Sequence, residues 1–158
     1  MEGNLMKHLV AFVVFAAALV CTPTSPSQSK VYRTVSNETV EKILQGLEIK
    51  YQKEERKGKE ASIMLFDFKR GDNTYRLFNY QNDLWIECTF EQKMKPEDVN
   101  RWNAEAKFSR LVLIEQKDKA MLSLESQLDC LGGVSDAVIR QYINRFDEEA
   151  KRFAKFMK

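Results

Sequence analysis

The sequence predicts an α+β domain: an antiparallel sheet of five to six strands with helices packed on one face. Two observations lead to this fold class. Short segments with apolar residues at every second position alternate with turn residues, which is typical of strands joined by short turns. Segments with apolar residues three and four positions apart stand before, between and after these strands, as in amphipathic helices. The predicted order is α-β-β-β-β-α-β-β-α, and this pattern favours a two-layer arrangement of helices on a sheet.

The N-terminal residues precede this domain and have the features of an export signal. Lys7 and His8 come before an unbroken apolar run over residues 9–20, and a Ser-, Thr- and Pro-rich stretch follows. A positive start, a short apolar core and a small-residue exit predict a secretory signal peptide. The run is shorter than the roughly 20 residues that a spanning helix needs. The predicted division is a signal peptide over 1–21, a flexible linker over 22–30 and the domain over 31–158.

Two other interpretations of the N-terminus are weaker. A buried N-terminal helix would need a polar face, which the apolar run lacks. A lipid anchor at Cys21 would need a small residue before it, and Val20 stands there instead. We therefore expect an exported protein, periplasmic or secreted, with no membrane span and with acylation of Cys21 disfavoured.

The composition excludes several kinds of chemistry. The net charge is +2, with 25 basic and 23 acidic residues interleaved, so no basic footprint for nucleic acid is present. His8 is the only histidine and falls in the predicted signal peptide, which excludes histidine-based triads and zinc sites from the mature domain. The sequence contains no glycine-rich nucleotide motif. We expect neither a cofactor nor a metal, and no enzymatic activity.

Cys88 and Cys130 remain in the mature domain, and both fall on the apolar side of predicted strands. In an oxidising compartment a disulfide between them is one interpretation. Two buried free thiols are the other, because free cysteine is a common core residue. The spacing leaves both open.

The helices are predicted from caps and stripes. Ser36 is a suitable N-cap for a first helix with apolar residues on one stripe, and Gly46 is well placed to end it. Pro96 begins a short second helix that ends near Lys107. Ser135 caps a last helix whose aromatic stripe is typical of core. The predicted strands are 49–55, 61–68, 74–80, 84–90, 109–116 and 120–128.

At this point the residues resemble a known family. TVEKILQGLEI, the strands with FDF and YRLF, NRWNAEAKFSRLVLIEQ and LGGVSDAVIRQYINRF together resemble the YbjN domain family, over residues 31–156. The resemblance implies the fold of type III secretion chaperones, which are dimers that bind protein clients, and a regulatory role. The most specific motif residues are Trp102, Asn103, Phe108, Gly132 and Gly133. None is a catalytic signature. We expect Trp102 to anchor the middle helix and the Asn103 amide to tie neighbouring backbone at the helix–strand junction.

The second face of the sheet suggests a function. Trp85 and Met121 lie opposite the core parity of their strands, and strand 61–68 is apolar at both parities. A sheet with helices on one side should have a polar second face. We therefore expect a protein-interaction face and a homodimer with an unknown protein partner. The alternatives are a small-molecule or lipid-binding cavity between helices and sheet, and a hydrolase with two close carboxylates in a cleft.

Overall fold

The computed structural model describes residues 30–57, 62–116 and 119–158. Within these residues the helices are Asn37–Gly46 (α1), Pro96–Glu105 (α2) and Asp136–Phe156 (α3). The strands are Val31–Tyr32 (β1), Tyr51–Lys57 (β2), Ser62–Arg70 (β3), Asn73–Asn79 (β4), Asp83–Phe90 (β5), Arg110–Gln116 (β6), Lys119–Asp129 (β7) and Val134–Ser135 (β8). The predicted signal peptide, and the predicted linker except its last residue, lie outside the described residues.

The main sheet has six strands in the order β2-β3-β4-β5-β7-β6, and every neighbouring pair is antiparallel. This confirms the predicted α+β class. Strands β1 and β8 form a separate antiparallel pair of two residues each, which the sequence did not predict. Two residues are too few to show a period of two, so no pattern could have indicated them.

The core lies between one face of this sheet and the three helices. Direct cross-strand neighbours on that face include Phe66, Leu77 and Ile86, all fully buried. Each helix adds its apolar stripe to the same cluster. The helix residues in it are Val40, Ile43 and Leu44 from α1, Val99 and Trp102 from α2, and Ile139, Tyr142, Ile143, Phe146, Ala150 and Phe153 from α3.

Helix α1 has the predicted start and the predicted end. The Ser36 hydroxyl accepts the Thr39 amide at 3.3 Å. At the other end, the Ile49 amide donates to the Leu44 carbonyl at 2.9 Å, and the left-handed residue of this Schellman motif is Glu48, with φ of 57°. The helix ends at Gly46, as predicted, and the left-handed conformation follows two residues later.

A buried polar cluster fastens α3 to the β3–β4 hairpin. Asp147, 4% exposed, accepts a hydrogen bond from the Tyr75 hydroxyl at 2.6 Å and pairs with Lys151 at 2.7 Å. Arg70 lies 3.6 Å from the same carboxylate. Burial, and then the hydrogen bond to Asp147, raise the pKa of Tyr75. This cluster holds the middle of α3 over the sheet.

Candidate functional site

The face of the main sheet that points away from the helices is called the open face here. Its positions follow from strand alternation and register. They are Gln52, Glu54 and Arg56 in β2; Ile63, Leu65, Asp67 and Lys69 in β3; Thr74, Arg76 and Phe78 in β4; Asp83, Trp85, Glu87 and Thr89 in β5; Met121, Ser123, Glu125, Gln127 and Asp129 in β7; and Arg110, Val112 and Ile114 in β6. Among the described residues, no helix packs on this face.

An apolar row crosses the open face. Leu65, Phe78 and Trp85 are directly opposite one another on three neighbouring strands. Leu65 is 1% exposed, although it does not belong to the helix-side cluster, and the two aromatic rings are half-buried. Tyr80 stacks on Phe78 with ring centroids 6.2 Å apart. Phe78, Tyr80 and Trp85 thus form an aromatic patch on the open face.

A charged row lies directly beside the apolar row. Asp67, Arg76, Glu87, Glu125 and Arg110 face each other in this order across β3, β4, β5, β7 and β6. The Arg76 guanidinium donates to both oxygens of Asp67, at 2.7 and 2.8 Å. At the other end, Arg110 donates to one oxygen of Glu125 at 3.1 Å. The two cations of the row are therefore paired with Asp67 and Glu125.

The middle of the charged row holds two carboxylates side by side. Glu87 and Glu125 are cross-strand neighbours, a position in which like charges destabilise a sheet. In the described part of the chain, the Glu87 carboxylate has no hydrogen bond or ion pair. Burial raises the pKa of Glu87; Arg76 opposes this, and Glu125 adds to it. Three acids and two cations leave the row with one excess negative charge at its centre.

Ser123 lies next to Glu125 on the same face of β7 and faces Thr89. It is 1% exposed, and its hydroxyl has no partner among the described residues. A buried hydroxyl without a hydrogen bond is costly unless something satisfies it. The centre of the open face thus has unused polar capacity from Glu87, Glu125 and Ser123.

A cleft of about 230 Å³ opens at one end of the charged row. Its lining includes Trp85, Arg110 and Glu125, and the Arg110 guanidinium lies 5.1 Å from the Trp85 ring centroid. Glu87 is not part of this lining. The hydrolase alternative needs both carboxylates in one cleft, and this cleft does not enclose the Glu87–Glu125 pair.

The predicted interaction residues Trp85 and Met121 both lie on the open face and are half-buried. They are not adjacent. Trp85 faces Gln127, whereas Met121 faces Ile114, so six residues of β7 separate their rows, or roughly 20 Å at about 3.3 Å per residue. The open face therefore has two apolar regions with the charged row between them.

Trp102 and Phe108 pack against α3. The Trp102 ring is 2% exposed and meets Phe153 and Phe156 edge to face, with centroids 5.0 and 5.4 Å apart. Phe108 meets Tyr142 in the same way at 5.7 Å. These residues connect α2 and the following loop to α3, which is a structural role.

The Asn103 amide makes the contact expected at the helix–strand junction. Its nitrogen donates to the Leu111 carbonyl at 3.0 Å, and its oxygen accepts the Leu111 amide at 2.7 Å. Strand β6 is an edge strand whose other side pairs with β7. Asn103 therefore occupies the outward backbone groups of this edge at Leu111, as a neighbouring strand would.

Gly132 and Gly133 form the loop before β8. Gly133 has φ of +94°, and a Cβ there would lie 2.8 Å from the Val31 side chain. Gly133 is thus required by both backbone conformation and the contact with β1. Gly132 is exposed with open space around its Cα.

The disulfide alternative for Cys88 and Cys130 is wrong, because both are free, buried thiols. Cys88 faces Leu124, and Cys130 lies six residues further along, roughly 20 Å at about 3.3 Å per residue. A disulfide needs Cα atoms within about 7 Å. The two cysteines instead fill the core, and burial raises their pKa values, to about 12 and about 11.

The space between helices and sheet is filled with side chains. Phe146 and Phe153 are fully buried there, and Tyr142 is 3% exposed. The Tyr142 hydroxyl lies 2.8 Å from the Ser126 carbonyl, to which it donates. The cavity alternative predicted an apolar pocket lined by α3 at this place, and the packing leaves it unsupported.

The described ranges contain neither a metal site nor a membrane-spanning helix. No group of three or more His, Cys, Asp or Glu side chains is placed to hold a metal ion there. None of the helices that the structure describes combines the length and apolar character needed to cross a membrane.

Comparisons with known proteins identify the family. A family model described as "YbjN: Putative bacterial sensory transduction regulator" matches residues 36–158. The fold matches a crystal structure of YbjN, "a putative transcription regulator from E. coli", with a TM-score of 0.56, 14% identity, and coverage of 73% of this chain and 85% of that chain. At this identity the likeness shows the fold. No curated protein matches the sequence. The chain belongs to the YbjN family.

Proposed function

We propose that this member of the YbjN family is an exported, non-enzymatic interaction module that binds a protein partner on its open face. The observation that carries the proposal is the row formed by Leu65, Phe78 and Trp85 on a sheet face without a helix. An apolar aromatic strip bordered by charged residues is typical of protein interfaces. The regulatory description of the family agrees with such a module, and a chaperone-like role belongs to the same proposal.

Export is part of the proposal and rests on the N-terminal sequence. The apolar run over 9–20, with Lys7 before it, has the layout of a cleaved signal. The protein would then act in the periplasm or outside the cell, without a lipid at Cys21.

A homodimer is the proposed form, and the two sheet edges support it. Edge β2 carries charged and polar side chains over Gln52–Lys57, all exposed, which protect an edge from pairing. Edge β6 is apolar from Leu111 to Ile114, and Asn103 occupies only the outward backbone groups of Leu111. By alternation the Leu113 backbone also points outward, where a second copy could pair with it.

Site-specific photocrosslinking in living cells tests the proposed face. A photoreactive phenylalanine analogue replaces Trp85, and the control has it at Val138, an exposed position of α3 that is 40% accessible. We expect a discrete protein adduct from position 85 that disappears when Phe78→Asp is added. Equal adducts from both positions, or none from position 85, would contradict the proposal.

Native mass spectrometry tests export and the dimer. The full precursor is expressed in a bacterial host and purified from the periplasm. We expect a lipid-free mature chain with twice the monomer mass. An uncleaved precursor in the cytosol would refute export, and a monomer at micromolar concentration would refute the dimer.

A further inference from the structure

We propose that the partner inserts a basic side chain, Lys or Arg, between Glu87 and Glu125, with apolar residues beside it on the Leu65–Phe78–Trp85 row. This inference rests on the proposed function and specifies the chemistry of the partner: a protein segment in which a basic residue is flanked by apolar ones.

The first argument is charge. Glu87 and Glu125 face each other with Cβ atoms about 5 Å apart, as expected for cross-strand neighbours. Arg76 uses two nitrogens on Asp67, and Arg110 reaches Glu125 through one carboxylate oxygen. Asp67 and Glu125 thus have cations within the chain, while Glu87 has none among the described residues.

The second argument is unused hydrogen-bonding capacity. An ammonium or guanidinium group donates three or more hydrogen bonds and accepts none. Both oxygens of Glu87, the second oxygen of Glu125 and the buried Ser123 hydroxyl are acceptors without a partner in the described residues. Ser123 is independent of the carboxylates, and its 1% exposure makes the missing hydrogen bond costly. A cation inserted from outside would satisfy the two carboxylates, and it would reach the Ser123 hydroxyl once the neighbouring side chains that bury this hydroxyl move aside.

The third argument is the surrounding surface. The apolar row lies directly beside the acidic pair, because Trp85 and Glu87 are two positions apart in β5. Glu87 is half-buried and Glu125 is 8% exposed, so an ion pair formed with them would be partly shielded from water and stronger than an exposed one. No third metal-binding side chain joins the pair in the part of the chain that the structure describes. This favours a side-chain cation over a metal ion.

The experiment is a selection from a random twelve-residue peptide library displayed on phage, with the full chain as target. Enriched peptides are synthesised, and their Kd values are measured at low and high salt. The test variant is Glu87→Gln/Glu125→Gln, which keeps the shape of both side chains. The matched control is Asp72→Asn/Glu148→Gln, which changes the net charge equally at two exposed positions away from the open face.

We expect enriched peptides to carry Lys or Arg between apolar residues. Their Kd should rise at least tenfold in the test variant and change less than twofold in the control. Replacing the basic residue of the peptide by norleucine should weaken binding to the wild type but not to the test variant.

The contrary outcomes separate this inference from the proposed function. Peptides without a basic residue whose binding Phe78→Asp abolishes would overturn the inference and leave the binding face intact. A selection that yields no peptide sensitive to Phe78→Asp would overturn both. If the wild-type chain instead forms a dimer that Glu87→Gln/Glu125→Gln dissociates, the occupant is a second copy, and a distinct partner is overturned.

Discussion

At the scale of a single residue, Glu87 is a position where the open face is expected to lower the stability of the fold. It is half-buried, faces Glu125, and its raised pKa reflects burial before any charge. We expect Glu87→Gln to increase the free energy of unfolding at pH 7 by about 0.2–1 kcal/mol, since it removes a like-charge pair. Glu125→Gln should not, because Arg110 would lose its partner. Urea unfolding of both variants is the measurement.

The sign of the pH dependence gives a second readout for Glu87. A carboxyl with a raised pKa binds its proton more tightly in the folded state, so its contribution to stability falls as pH rises from the ordinary value of 4.5 through the folded pKa. Glu87→Gln should therefore gain less at pH 4 than at pH 7. An equal gain at both values would show that charge is not the cause.

Asn103 has a structural role, because its side-chain amide binds the backbone of β6. Asn103→Ala removes two hydrogen bonds to Leu111 and should reduce the free energy of unfolding by about 1–3 kcal/mol. Asn100→Ala is the control. Asn100 lies in the same helix and is exposed, and its replacement by alanine brings the same gain in helix propensity. If the two variants unfold at the same urea concentration, the amide contact contributes nothing.

At the scale of elements, the end of α1 carries local strain. Glu48 is in the left-handed region, with φ of 57°, which costs an ordinary residue about 1 kcal/mol. Glu48→Gly should raise the free energy of unfolding by about 0.5–1 kcal/mol, whereas Glu48→Ala should not, because alanine keeps the Cβ penalty. Thermal unfolding of the three proteins is the measurement. A glycine variant no more stable than the alanine variant would contradict the strain.

The elements also show how far the sequence can be interpreted. Periodicity and caps predict the six main strands and three helices to within a few residues, because each signal is local. The charged row could not be predicted in this way. Glu87 and Glu125 come from strands that are separated by α2 and β6, and their pairing is set by the registers of several strands. Trp85 and Met121 were correctly placed on the second face, but their separation also depends on register.

At the scale of the whole molecule, the two sheet faces have different chemistry. The helix side is packed with large apolar side chains, and burial favours the neutral form of the cysteine thiols and tyrosine hydroxyls inside it. Burial raises the pKa values of Cys88, Cys130, Tyr75 and Tyr142. The open face instead carries charged side chains. The packed helix side therefore provides the stability, and the open face is the proposed binding face.

This division predicts that alkali unfolds the protein. Cys88 has an ordinary pKa of 9.0 and a folded pKa of about 12, so the unfolded state releases this proton first. Its contribution to stability is complete below pH 9 and is lost between pH 9 and about 12. At 1.36 kcal/mol per unit this amounts to at most about 4 kcal/mol. Urea midpoints should therefore fall steeply over this range.

Cys88→Ala tests the origin of that fall. It removes the titrating thiol and leaves a small apolar group, so its midpoint should be lower at pH 7 but should decline less between pH 9 and 12. In Cys130→Ala the urea midpoint should decline less than in the wild type only up to about pH 11, since that is the folded pKa of the second thiol. Thiolate absorbance near 240 nm reports the titration directly. If the native protein forms thiolate at pH 9, the core does not exclude water, and the stability attributed to the packed layer is wrong.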